Sequence, residues 1–124
     1  MTNSHSKKIL IADDDPAIAE TMTGVLEKLG YHVVGIVSTG EAAVNEAVNK
    51  HPDLVIMDVV LDGTINGIEA SRQIEEFMNV PIIFMTGHRN VAAAMQANRR
   101  IVLHKPFTNK ELQETIETSL ANPG

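Results

Sequence analysis

The chain has no cysteine, which excludes disulfides, zinc–thiolate centres and thiol nucleophiles. Tryptophan is absent too, and Tyr31, Phe77, Phe84 and Phe107 are the only aromatic residues. Aliphatic side chains must therefore build the core. Positive charge is in deficit, with 10 Lys and Arg against 16 Asp and Glu. The resulting net charge of −6 argues against a general nucleic-acid-binding surface. No apolar run approaches the ~18 residues that a membrane span requires. The opening stretch, Met1 to Lys8, lacks the apolar segment of a signal peptide. Residues 1–7 read as a flexible solvated tail, and a cytoplasmic protein with no membrane partner is expected. The 124 residues suit one hydrophobic core, placed at 8–121, with no room for a second domain.

What is present is an alternation. Five short apolar runs read as strands: Lys8–Ala12, His32–Val37, Asp53–Met57, Pro81–Met85 and Ile101–His104. Between them the apolar spacing turns helical. Ile18, Met22, Val25, Leu26 and Leu29 share one helix face after an Asp15 cap and an N1 proline, Pro16, with Gly30 as the stop. A second helix is predicted from about Glu41 to Lys50. A third starts at Gly67, with Ala70, Ile74, Phe77 and Met78 on one face. Val91–Asn98 gives a weaker fourth, and Lys110–Leu120 a clear fifth. Five strand–helix units imply an α/β doubly wound parallel sheet, whose ligands bind beyond the carboxyl ends of the strands.

Those ends carry the polar chemistry. Asp13, Asp14 and Asp15 follow the first strand, Asp58 the third, Thr86 the fourth and Lys105-Pro106 the fifth. Adjacent carboxylates repel one another unless a cation intervenes, so the acidic triplet points to a cation site. Magnesium favours one or two carboxylates with waters and a phosphate oxygen. Asp13, Asp14 and Asp58 can supply the carboxylates. An aspartate can also accept a phosphoryl group as an acyl phosphate. Thr86 can donate to a phosphate oxygen, and Lys105 can balance its charge.

The segments Leu10-Ile11-Ala12-Asp13-Asp14-Asp15-Pro16, Leu54-Val55-Ile56-Met57-Asp58, Phe84-Met85-Thr86-Gly87 and His104-Lys105-Pro106-Phe107 resemble, in this order, the response-regulator receiver domain of two-component signalling. The resemblance covers nearly the whole chain. It implies a flavodoxin-like (βα)5 fold with strand order 2-1-3-4-5, and it implies Asp58 as the phosphoacceptor. Asp14 would bind Mg2+ directly, Asp13 mainly through a water, and Val60 through its backbone carbonyl. Thr86 and Lys105 would contact the phosphoryl group, and Lys105-Pro106 is often cis in this family. Asp15 is left as a helix cap.

The implied function is that of a stand-alone receiver. It would take phosphate from a histidine kinase or histidine phosphotransfer protein and signal to a separate output protein by conformational change. It would catalyse only its own phosphorylation and dephosphorylation. A receiver module cut from a larger hybrid kinase or regulator is an alternative. Two other classes are weighed. A flavodoxin-like electron carrier needs a Ser/Thr/Gly-rich phosphate loop where this chain has three acids. An aspartate-nucleophile phosphatase would use Asp13 and Asp15, yet no segment is free to form a substrate cap.

The chain departs from the family pattern in two places. Val102 stands where receivers often carry Tyr or Phe, so the aromatic half of the usual switch is missing. The interval from Thr86 to Lys105 is also short, with the shortage around Ala92 to Arg100, which implies an atypical or shortened fourth helix. Val60 and His88 border the approach of hydrolytic water. Because Val60 cannot orient water, slow self-dephosphorylation is expected.

Overall fold

The computed structural model describes residues 6–121. Strands and helices alternate without exception: β1 (Lys8–Ala12), α1 (Pro16–Lys28), β2 (His32–Val37), α2 (Gly40–Lys50), β3 (Leu54–Asp58), α3 (Gly67–Phe77), β4 (Ile82–Thr86), α4 (Arg89–Ala97), β5 (Ile101–His104) and α5 (Asn109–Ala121). The strands form one sheet in the order β2-β1-β3-β4-β5, and every pairing is parallel. The flavodoxin-like topology expected from the sequence is the one observed. Of the expected tail, residues 1–5 lie outside the described residues. Lys7 is already tied to the sheet, since its carbonyl accepts from the His32 N–H at 2.9 Å.

Successive strand residues point to opposite faces, and the core divides accordingly. Leu10, Ala12, Val55, Met57 and Phe84 pack with Ala43, Ala47, Ala70, Ile74 and Met95 of α2, α3 and α4. Ile9, Ile11, Leu54, Ile56, Ile83 and Met85 pack with Ala19, Met22, Leu26, Leu112 and Ile116 of α1 and α5. The central strands β3 and β4 are buried along their whole length, which is why they read as continuous apolar runs rather than alternating ones.

Two strand limits differ from the sequence reading, and the difference concerns the site. β3 and β4 each begin one residue later and end one later, at Asp58 and Thr86. Asp58 pairs with Met85 and Thr86 with His104 in the ladder. The polar residues are thus the last rungs of the sheet and not the first residues of loops. Two expected core residues are corrected as well. Leu29 caps α1 at its C-terminus and is 37% exposed, and Phe77, at the end of α3, is 67% exposed. The stripe that α3 buries comprises Gly67, Ala70, Ser71 and Ile74, and Phe77 lies just outside Ala70, about 20° beyond the flank of that stripe at 100° per residue, on the last residue of the helix.

α4 spans nine residues and is the shortest of the described helices. It ends at Asn98, with Arg99 in the left-handed region at φ 64°. The next residue, Arg100, reaches back to α3. Its guanidinium donates to both carboxylate oxygens of Glu75 (3.0 and 3.2 Å) and to Ser71 Oγ (3.2 Å). It also lies 5.1 Å from the centroid of the Phe84 ring, within cation–π range. Val102 pairs with Phe84 in the ladder and packs, partly buried, against the core cluster that contains it.

Candidate functional site

The carboxyl ends of β1, β3 and β5 converge on one cluster. Asp13 and Asp58 are buried, whereas Asp14 beside them is exposed. One carboxylate oxygen from each of Asp13, Asp14 and Asp58 lies within 4.8 Å of the others. Lys105, delivered by the end of β5, sits between the two buried acids. Its Nζ donates to Asp58 Oδ2 at 2.7 Å and to Asp13 Oδ2 at 3.2 Å.

Main-chain bonds hold each of these groups. The Asp13 N–H donates to the Val37 carbonyl at 2.9 Å, and Asp13 Oδ1 accepts from the Asp15 N–H at 2.9 Å. The Lys105 N–H donates to the Thr86 carbonyl at 2.8 Å. Asp58 Oδ1 accepts from the Val60 N–H at 3.2 Å. Thr86, also buried, accepts through Oγ1 from the His88 N–H at 3.1 Å. Its hydroxyl proton is not used in that bond. The Lys105-Pro106 peptide is cis.

The triplet divides by environment. Asp15 caps α1, accepting from the N–H groups of Ala17 (3.0 Å) and Ile18 (3.4 Å). Asp14 is free of such bonds to the described residues and faces solvent. Val60 lies 59% exposed in the loop after Asp58, between the buried Val59 and Leu61. His88 is the N-cap residue of α4 and makes no side-chain cap bond.

The electrostatics follow from burial. Desolvation pushes the Asp58 carboxyl above its ordinary value, with neighbouring Asp13 adding to the rise. Lys105 and the Val60 N–H only partly offset it. Burial alone would pull Lys105 down, but the bonds and charges of Asp58 and Asp13 together outweigh it and hold the ammonium above its usual value. A single ammonium thus faces two buried carboxylates, and a third carboxylate stands at the solvent edge. That donor set fits a divalent cation of the magnesium type, which keeps several waters and takes few protein carboxylates. Asp13, Asp14 and Asp58 could hold it, and the exposed side is open to water.

The comparisons with known proteins agree with this geometry. Residues 9–117 match the family model of the response regulator receiver domain. MtrA, a DNA-binding response regulator of Mycolicibacterium smegmatis, is 32% identical over 117 residues, which is 92% of this chain and 50% of MtrA. PdtaR, a transcriptional regulatory protein of Mycobacterium tuberculosis, is 33% identical over 118 residues, or 93% of this chain and 57% of PdtaR. The chain therefore spans about half the length of these curated relatives. Among solved structures, the signal receiver domain of a modulated diguanylate cyclase from Desulfovibrio desulfuricans G20 superposes with a TM-score of 0.83. It is 33% identical, with 94% of each chain covered. The response regulator PhyR from Brucella abortus gives 0.83 at 27% identity, covering 94% of this chain and 48% of PhyR. A sheet ordered 2-1-3-4-5 with acids and a lysine on its carboxyl rim defines the class. The chain belongs to the response regulator receiver domain family of two-component signalling.

Two residues that tie distant segments together, Glu41 near the site and Arg100 at the opposite rim of the sheet, were not singled out from sequence. Glu41, in the first turn of α2, binds Thr64 in the β3–α3 loop, and Arg100 binds α3. An acid in a first helical turn and an arginine in a loop are ordinary, and their partners lie 23 and 25 residues away. No local pattern marks either one.

Proposed function

We propose that the chain accepts a phosphoryl group on Asp58 in a Mg2+-dependent reaction and signals by conformational change. The observation that carries this reading is the double contact of Lys105 with Asp58 and Asp13, inside a cluster that Asp14 completes. Asp58 Oδ attacks phosphorus while the bond to the donor breaks. That bond is P–N for a phosphohistidine and P–O for acetyl phosphate. The product is an acyl phosphate on Asp58 and a free donor. Lys105 shifts from balancing two carboxylates to balancing the phosphoryl oxygens, which carry the transferred charge. Thr86 donates its hydroxyl proton to one of those oxygens. Bound Mg2+ supplies further neutralisation of the charge on the transferred group. Asp13, Asp14, Asp58 and the Val60 carbonyl would hold it.

The donor is a histidine kinase or histidine phosphotransfer protein, and the output is a protein or domain that reads the phosphorylated state. The chain turns over no external substrate. A phosphatase mechanism based on Asp13 and Asp15 is disfavoured, because Asp15 serves as the α1 cap through Oδ1 and the cluster that Lys105 bridges contains Asp13 and Asp58 instead. Incubation with acetyl phosphate followed by intact mass measurement tests the proposal. Wild type should gain one phosphoryl group with Mg2+ and none in EDTA, and Asp58→Ala should gain none in either. Equal phosphorylation of Asp58→Ala would overturn the assignment.

A further inference from the structure

The loop that follows β3 is gripped from both ends. At its start, the Val59 N–H donates to the Met85 carbonyl (2.9 Å) and the Val59 carbonyl accepts from the Gly67 N–H (2.8 Å). At its far side the grip comes from α2. Glu41 Oε2 accepts from the Thr64 N–H at 2.9 Å and from the Thr64 hydroxyl. Thr39 bridges to Asp62. The fit around the carboxylate is close. A Cβ added at Gly63 would lie 2.5 Å from Glu41 Oε1, and Gly63 itself has φ +97°. A Cβ added at Gly40 would lie 2.6 Å from Ile65.

We infer that Glu41 is a positioning residue for the cation site, fixing the β3–α3 loop so that Val60 and Asp58 stand ready for a divalent ion. The inference rests on the Mg2+-binding role proposed above for Asp13, Asp14, Asp58 and Val60. Val60 sits four residues before Thr64, and between them only Leu61 inserts into the core. Without the Glu41 grip, Thr64 loses its bonds to α2, and the loop after Val60 keeps only the Thr39–Asp62 bridge and the packing of Ile65 against Gly40. Outer contacts of this kind affect metal affinity without touching the metal.

The alternative role for Glu41 is local. An acid in a first helical turn favours the helix through its charge alone. Three variants separate the two roles. Glu41→Gln keeps the length and the acceptor oxygen but loses the charge. Glu41→Asp keeps the charge and loses the reach. Gly63→Ala disturbs the grip from the loop side and leaves Glu41 intact.

Mg2+ affinity is measured by isothermal titration on the purified chain, and protection of the Thr64 amide by hydrogen exchange. The expected order is wild type and Glu41→Gln alike, with Glu41→Asp and Gly63→Ala weaker in Mg2+ binding by roughly tenfold and less protected at Thr64. If Glu41→Asp binds like wild type and Glu41→Gln is the weak variant, charge alone matters and the inference is overturned. Wild-type affinity in all three variants overturns it as well. A wild-type chain that binds no Mg2+ overturns the cation-site reading itself, and this inference with it.

Discussion

Lys105 Nζ lies 2.7 Å from Asp58 and 3.2 Å from Asp13, so one ammonium holds apart two buried carboxylates that would otherwise face each other. Without it, the pair must protonate, spread or find another cation. Lys105→Met should therefore destabilise the chain in EDTA by roughly 1–3 kcal/mol, the range for breaking a well-buried ion pair after allowance for relaxation. Because the partners hold Lys105 above its ordinary value of 10.5, its contribution is complete below that value. It is lost only as pH rises through the folded-state value, so the effect is full at pH 7. Mg2+ should restore most of the loss. Thermal denaturation with and without Mg2+ checks this. A variant that melts like wild type in EDTA would show that the bridge has no energetic role.

Asp58 carries the opposite sign. Burial raises its carboxyl above the ordinary 3.8, so the folded state favours the neutral form. The cost of the charge is absent below 3.8 and grows as pH rises through the folded-state value. Asp58→Asn removes the charge at nearly constant shape and should raise the melting temperature in EDTA at pH 7 by a few degrees, corresponding to about 1 kcal/mol. The gap between variant and wild type should close at low pH and shrink when Mg2+ is added. A variant less stable than wild type at pH 7 in EDTA would contradict the assignment of burial as the dominant influence.

These expectations show which parts of the molecule a sequence can carry. The order of strands and helices is written in local apolar spacing, and the acids and lysine stand out because each ends an apolar run. Asp13, Asp14, Asp58 and Lys105 are indeed gathered by the fold. Apolar spacing cannot see that Asp58 and Thr86 complete ladder pairs with Met85 and His104, so it ends both strands one residue early. Nor can periodicity tell the centre of a buried stripe from its flank, which is how Phe77 enters the expected core. Glu41 and Arg100 bind partners far along the chain, and local sequence has no means of recording that.

Gly67 is required by a close approach rather than by its own backbone angles. A Cβ there would lie 2.0 Å from the Asp58 carbonyl oxygen and 3.0 Å from Met57 Cγ. Gly67→Ala must push the start of α3 away from the end of β3, in a region where overpacking costs about 1–3 kcal/mol. The expected result is a lower melting temperature together with weaker Mg2+ binding. Unchanged values of both would mean that the contact between α3 and β3 relaxes freely.

Val60 has no polar group with which to orient a water, and it is exposed beside Asp58. The phosphorylated chain should accordingly lose its phosphate slowly. Val60→Asn and Val60→Glu should each shorten its lifetime several-fold, as followed by intact mass after removal of acetyl phosphate. Slower loss in either variant would count against this role for residue 60.

The account turns on which carboxylate carries the phosphoryl group. Borohydride reduces an acyl phosphate with loss of phosphate and converts a phosphorylated aspartate to homoserine, which peptide mass mapping can locate. After treatment with acetyl phosphate and Mg2+, the account predicts homoserine at position 58 alone, and none when EDTA replaces Mg2+. Homoserine at position 13, 14 or 15, or a phosphorylated chain with no reduction at 58, would contradict it.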